Sequence, residues 1–488
     1  MRKIWVSALR AGWVVLLLAV SSPASLAGPE YAQPSTDVLP RGCWQMDAMA
    51  WLAGEGWLPP FTARDFLQSR TFTRLEIAQI LQNTQMPSEP RASALYARLR
   101  DDLSEELLFL GGNLSETGVQ GCPSAAAQTV LTGWASASAS RVDGDSRGFA
   151  TGTLTTLSAT GPRRVLSATL TSEARLFHPD SYQSFPVLDR FSFAENRRTW
   201  KWDAGRSYSW FGTAGAGSMW LSDASPAIFQ LRASGVLDLG RPGRWALSWQ
   251  TGGFSDRGRT VYLLSRRVQK TLSPRWTLGY IDMSKTTRTP DPLMAALPAL
   301  AYQSLFLKDV DSKWNALLGV EAIYRPSPRM DTYLQWMVDD MTSPLASRHH
   351  APKKTGILVG LRTRAADFTS GGLRLQAEYC VIDARAYEAT RPGAPLLAWT
   401  QDGLPLAWGY GPDSRTLALR AEKRFSPKWE CAATLVDSRK KSAAGRSTVL
   451  SLQPSWDFDP RSSLSLILEW CSGDVDETSA GIRASMAF

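Results

Sequence analysis

The sequence predicts a mainly β protein: a transmembrane antiparallel β-barrel of about 16–18 strands carrying a small N-terminal α-helical module. Three observations predict it. Beyond Ser124 apolar and polar side chains alternate with a period of two. Short turns of a single design separate the alternating segments. Finally, 20 Trp residues accompany a mean hydropathy of only -0.19. A membrane barrel alternates lipid-facing with lumen-facing residues, so its average hydropathy is bland. The amphipathic Trp ring is favoured at bilayer interfaces and on sugar faces.

Taken in order, the chain opens with Arg2, Lys3 and Arg10 before a short apolar core, Trp13 to Val20. Ser25-Leu26-Ala27 then puts small residues where a signal peptidase reads. A core this short does not span a bilayer, which takes about 20 apolar residues. Residues 1–27 are therefore expected to be a cleaved secretory signal, with the mature chain starting near Gly28 and no lipoprotein Cys after the site. No later segment is long and apolar enough to be expected to cross a membrane as a helix.

Residues 28–124 read as a helical module, expected in the periplasm. Met46, Met49, Ala50, Ala53 and Trp57 fall on one stripe, ended by Gly54, Gly56 and Pro59-Pro60. Thr73 is a candidate N-cap with Glu76 as its capping-box partner, ahead of Ile77, Ile80 and Leu81. A third helix is expected over Ser93 to Leu110, with Leu95, Leu99, Leu103 and Leu107 every four residues. Cys43 and Cys122 bracket the module and could pair, whereas Cys380, Cys431 and Cys471 read as strand residues. Residues 28–125 carry 12 acidic and 7 basic side chains, so the downstream region is the basic part. That asymmetry suits an anionic partner such as an acidic polysaccharide or lipopolysaccharide phosphate, or reflects ordinary lumen and loop charge.

Residues 125–488 are the expected barrel. In Val165 to Leu176 one face is Leu166, Ala168, Leu170, Ala174 and Leu176, the other Ser167, Thr169, Thr171, Glu173 and Arg175. The pattern recurs at Leu417/Leu419/Ala421, Trp429/Cys431/Ala433/Leu435 and Leu464/Leu466/Leu468/Trp470. Ser273-Pro274-Arg275, Ser327-Pro328-Arg329, Ser426-Pro427-Lys428 and Asp459-Pro460-Arg461 each combine a polar cap, a φ-setting Pro and a basic residue. Such tight turns suit the periplasmic end of a barrel. Lys285 to Lys308 and Thr342 to Gly356 read as outer loops. Ala480, Ile482, Ala484, Met486 and Phe488 form a last amphipathic strand resembling the insertion signal of bacterial outer-membrane barrels.

Catalytic chemistry finds little to work with. His178, His349 and His350 are the three histidines, and His349-His350 sits in a basic run without a third ligand at helical spacing. Gly212, Gly215 and Gly217 lack the Lys-Ser/Thr of a phosphate loop. Asp339 and Asp340 are adjacent and point to opposite faces of a strand. His178 near Asp180 is the weak remaining candidate. The sequence is read as non-catalytic, with no metal, no cofactor and no nucleic acid.

Three stretches resemble the Wzi family of outer-membrane capsule-assembly proteins. They are GRSYSWFGTAGAGSMWLSDASPAIFQLRASG at Gly205 to Gly235, YLQWMVDD at Tyr333 to Asp340, and WTQDGLPLAWGYGPDSRTL at Trp399 to Leu417. Ala407 and Trp408 stand where that family usually has a Gly, and Ser209-Trp210-Phe211 replaces its usual paired Trp. The resemblance implies a barrel of about 18 strands acting as a surface lectin for capsular polysaccharide. The polysaccharide-binding residues it implies are Arg206, Trp210, Trp220, Asp223, Asp339, Asp402, Trp408, Tyr410 and Asp413. Rings stack on apolar sugar faces, while Asp and Arg hydrogen-bond hydroxyls; lumen packing and loop bracing are the competing roles. Cys43 to Leu81, with WQMDAMAWLAGEGWL and TRLEIA, also resembles one S-layer homology repeat. That likeness implies a competing role, a porin tethered to peptidoglycan. Either way the expected partners include outer-membrane lipid.

Overall fold

The computed structural model describes residues 38–39, 45, 48–49, 52, 57–58, 72–82, 84–104, 107, 128–142, 145–159, 164–176, 187–196, 200–207, 211–215, 217–222, 227–238, 244–273, 275–298, 314–327, 330–339, 354–363, 373–388, 398–401, 404–426, 429–441, 445–459, 462–473 and 477–487. The signal segment, Cys43, Cys122, the three histidines, Asp340 and Phe488 lie outside them. No described helix is long and apolar enough to cross a membrane, which says nothing of strands.

In the N-terminal region α1, Arg74–Gln82, starts directly after Thr73, the expected cap. Helix α2, Pro90–Asp102, begins three residues earlier than the leucine spacing suggests. The reason is local: Glu89 accepts the Ala92 amide at 2.6 Å and Pro90 takes the first helical position, where its missing N–H costs nothing. Tyr96 donates to the carbonyls of Leu81 and Thr84, stapling the end of α1 to α2. Met49, Leu52, Ile77, Leu81, Leu99, Leu103 and Leu107 are buried, as the helical stripes require.

Eighteen antiparallel strands then close into one barrel. They are β1 Gln128–Val142, β2 Asp145–Ala159, β3 Arg164–Leu176, β4 Val187–Asn196, β5 Trp200–Ser207, β6 Ile228–Asp238, β7 Arg244–Asp256, β8 Arg259–Thr271 and β9 Trp276–Thr286. The second half comprises β10 Trp314–Ser327, β11 Met330–Asp339, β12 Lys354–Thr363, β13 Leu373–Ile382, β14 Ser414–Ser426, β15 Trp429–Lys440, β16 Arg446–Asp459, β17 Ser462–Gly473 and β18 Glu477–Ala487. Closure comes from β18 pairing with β1, for example Ile482 opposite Ala137. The four proline turns join β8–β9, β10–β11, β14–β15 and β16–β17, all at one end. Cys380, Cys431 and Cys471 are strand residues, none of them in a disulfide.

Period-two sidedness fixes the two surfaces. Val320 pairs with Trp336, and Trp336 with Ile357, and all three are exposed outward. The neighbouring Glu321, Gln335 and Leu358 point inward and are buried. Leu417, Leu419, Leu464 and Ile482 are exposed on the outer face, as their alternation predicts. Near the proline-turn end Trp276 packs on Tyr324, and Trp429 stacks on Trp456 with ring centroids 5.8 Å apart. Toward the other end lie the exposed rings of Trp336 and Trp470. An apolar band between aromatic girdles is the surface a bilayer demands, and a closed wall leaves no unpaired edge in hydrocarbon. The protein is an outer-membrane-type β-barrel.

Candidate functional site

Two loops at the end opposite the proline turns fold inward against the strands, rather than outward into solvent. The first joins β5 to β6 and the second joins β13 to β14. The first makes a narrow bend in which the Phe211 amide donates to the Leu221 carbonyl at 3.0 Å. Phe211, Met219, Trp220 and Leu221 are buried there with Tyr387, Trp399, Leu406 and Trp408 of the second loop. They pack on inward residues of β6 to β13, among them Phe254, Leu263, Met283, Leu317, Met337 and Ile382. Each buried indole removes about 150–250 Å² from solvent, a gross gain of about 4–6 kcal/mol per ring. Within the loops strand pairing is slight, Thr400–Gln401 with Leu404–Pro405 and a single bridge between Phe211 and Leu221, so ring burial is the larger hold.

Small residues make room for these rings. A β-carbon on Gly217 would stand 2.5 Å from Cζ3 of Trp408, so only glycine lets the first loop pass beneath that indole. Beneath the aromatic layer lies a polar one. Glu321 accepts from Arg267 Nε at 2.6 Å, Gln269 Nε2 at 3.0 Å and Thr213 Oγ1 at 2.6 Å. Glu378 accepts the Gly215 amide at 2.6 Å and Gln376 Nε2 at 2.7 Å, and Tyr333 donates to it as well. Inward carboxylates of the wall thus grip the first loop. Charges in a closed interior persist only when paired this way.

The second loop is held by two lysines and two aspartates. Lys285 Nζ bonds Asp256 at 3.0 Å and the carbonyls of Ala398 and Thr400 at 2.7 and 2.6 Å. Lys440 Nζ donates to the carbonyls of Tyr410 and Pro412 at 2.9 and 2.8 Å. Asp339 accepts the Tyr387 amide at 2.7 Å. Asp383 accepts the Thr355 amide and hydroxyl at 3.0 and 2.6 Å and pairs with Lys441. Partial burial pushes the Asp383 carboxyl up, but the Thr355 bonds and Lys441 outweigh it and hold the group below its ordinary value. A depressed pKa means that this tie is fully present above the usual carboxylate range and is lost only as pH falls through the folded value. Hydrogen exchange at the Thr355 amide should therefore stay slow at mildly acidic pH and accelerate in Asp383→Asn; equal rates in the two proteins would remove the tie from the account.

The nine residues expected to contact ligand separate clearly. Trp210, Asp223 and Asp402 lie outside the described residues. Sequence reasoning places Trp220, Trp408 and Asp339 against a ligand; the structure buries all three, the two rings in the inward loops and Asp339 at the end of β11. Arg206 faces the outer wall, in register with the exposed Phe229. Tyr410 and Asp413 remain at the mouth, both partly exposed. Asp413 sits in left-handed backbone, φ 58°, with its amide on the Asp383 carbonyl and its own carbonyl accepting from Lys441. Tyr410 rests on Trp408, centroids 5.7 Å apart. The structure adds Asp383 and Lys441 beside Asp413, two residues that no motif or spacing marks. Among the described residues no cluster of His, Cys, Asp and Glu could hold a metal ion.

No protein-family model and no curated protein matches this chain. Among solved structures it is similar to Wzi of Escherichia coli, described as an outer membrane protein involved in group 1 capsule assembly and a carbohydrate-binding β-barrel. The TM-score is 0.62 at 15% identity, covering 92% of this chain and 99% of that one. OccD3 (OpdP) of Pseudomonas aeruginosa follows with a TM-score of 0.45 and 10% identity over 76% of this chain and 97% of that one. OccAB4 of Acinetobacter baumannii gives 0.45 and 9%, over 75% and 99%. At such identities the likeness to Wzi establishes a shared outer-membrane barrel fold, and the two weaker likenesses carry no argument.

Proposed function

We propose that this chain is a non-catalytic outer-membrane barrel that binds capsular or other extracellular polysaccharide at its mouth and keeps it at the cell surface. The observation that carries the reading is the inward-folded pair of loops, which fills the lumen along β6 to β13 and presents Tyr410 and Asp413 on a braced platform. A ring backed by Trp408 offers a flat apolar face to a sugar, and Asp413 with Lys441 offers hydroxyl partners nearby. The fold shared with Wzi supports the same reading. Residues 1–27 then serve as a cleaved export signal and 28–124 as a periplasmic module.

Refolded protein in planar bilayers is expected to show no steady open-pore conductance and to bind purified capsular polysaccharide. Tyr410→Ala and Asp413→Asn should each weaken that binding about tenfold, roughly 1.4 kcal/mol. Asn tolerates the left-handed backbone that Asp413 adopts, so that change removes charge without straining the turn. Steady conductance without polysaccharide binding would replace this reading with that of a porin.

A further inference from the structure

The loop joining β9 to β10 does something a solvated loop does not: part of it lies on the outside of the barrel wall. Its short helix α3, Pro292–Ala296, is capped by Asp291, whose side chain accepts the Met294 amide. Met294 is buried on Leu264, Trp314, Ala316 and Leu318, and Leu297 packs against the same cluster. Those wall residues share the outward face of β8 and β10, since Tyr280 pairs with the exposed Val320 and Arg266 with Asp282. Arg266 bonds Asp282 at 2.5 Å and donates to the carbonyls of Met294 and Ala295. Trp249 Nε1–H donates to the same Ala295 carbonyl at 2.7 Å. An ion pair on the lipid side of a barrel is costly unless it is sealed and fully bonded. The strap provides that seal and is in turn pinned to the wall.

Beside the pinned strap the wall is concave. A groove of about 530 Å³ is lined by Phe191, Phe229, Leu231, Thr251, Tyr262 and Pro290, the last contributed by the strap segment. Phe229 and Leu231 are exposed on the outer face, and Phe191 meets Phe229 edge to face at 5.7 Å. The groove floor includes Gly253, where the atoms nearest to an added β-carbon, on Tyr262 and the Val261 carbonyl, stand at ordinary contact distance. Arg206 stands opposite Phe229 in register, its Nε on the Ala227 carbonyl. Arg257 lies exposed in the β7–β8 turn and Arg288 lies exposed two residues before Pro290, at the same end of the strands. An apolar concavity in a hydrocarbon-facing wall is filled by hydrocarbon, and cations at headgroup height select an anionic lipid.

We propose that this groove is a lipid site: one acyl chain of a phosphate-bearing outer-leaflet lipid lies along Phe229, Gly253 and Tyr262, with its phosphate turned toward Arg206 and Arg288. The strap supplies the near wall through Pro290, and the Arg266–Asp282 pair fixes the strap. The proposal stands apart from the polysaccharide reading, because mouth and groove lie on opposite faces of the wall.

The test is native mass spectrometry of the full chain in detergent. The probes are diphosphorylated lipid A, its dephosphorylated counterpart and diacylglycerol, the last two without phosphate. Wild type is expected to retain one diphosphorylated lipid A per chain, at least tenfold in preference to either neutral probe. Gly253→Leu and Thr251→Leu fill the groove and should each cut retention at least tenfold, with folding checked by mobility on unheated gels. Arg206→Gln should keep acyl-chain binding while bringing the preference for phosphate close to unity. Undiminished retention in the folded groove-filling variants, or no phosphate preference in wild type, would overturn the proposal. Persistence of full preference in Arg206→Gln would overturn the place assigned to the phosphate.

Discussion

Glu321→Ala is expected to give frequent channel openings that the wild-type barrel, on the proposed reading, lacks. Glu321 is fully buried on the lumen side and receives three hydrogen bonds, from Arg267, Gln269 and Thr213. Thr213 belongs to the inward loop, so the carboxylate bonds plug to wall, as Glu378 also does. Truncation would leave the Arg267 guanidinium, equally buried, without its counter-charge. Breaking one side of a buried pair costs about 3–5 kcal/mol. Hydrating that charge by letting water into the lumen is cheaper than keeping it dry, and the first loop must lift for water to reach it. Planar-bilayer recordings should show openings absent from wild type, with a red shift in Trp emission as Trp220 becomes wet. The paired change Glu321→Leu with Arg267→Met removes both charges and should restore closure, since apolar replacement of a buried pair is often neutral. Openings in the double variant equal to those of Glu321→Ala would show that packing volume, not the stranded charge, holds the loop down.

The features that place this lumen in a membrane were written in local patterns. Alternation at Leu417/Leu419 and Leu464/Leu466 follows from the pleat, because each strand shows one face to lipid and one to protein. The proline turns need no distant partner, and each joins two strands where expected. The site is a different case. Trp408 and Trp429 are indistinguishable as letters, yet one is fully buried in the plug and the other is half exposed on the lipid face. What separates them is the inward fold of a loop tied by Lys285 to Ala398 across 113 residues, a contact with no periodicity to announce it. Lys285 itself reads as the start of a polar outer loop. It is instead an inward strand residue, paired with Asp256, so β9 extends to Thr286. Helix α3 hid in the same stretch: five residues are too few to show a helical stripe, and its partners sit on the far side of a wall built by other strands.

Gly319→Ala is expected to abolish folding of the barrel at yields where wild type folds completely. Gly319 lies on the lumen face of β10, opposite Met337 of β11. A β-carbon there would fall 2.0 Å from Cη2 of Trp220 and 2.1 Å from the Trp336 carbonyl oxygen. The first clash is with a side chain and can be relieved by evicting the indole, at the cost of the plug. The second is with the backbone of a paired strand, so relief there means shifting β11 against β10 and straining their ladder. Overpacking a close-packed interior ordinarily costs about 1–3 kcal/mol, and more when backbone must move. The two contacts can be separated. If the ring alone were limiting, adding Trp220→Ala to Gly319→Ala would recover the folded band on unheated gels. Recovery is expected to stay partial, because the Trp336 carbonyl remains in place. Full recovery would mean the strand pair is more compliant here than its register implies. Gly319 would then be fixed by the plug it accommodates, not by the wall that carries it.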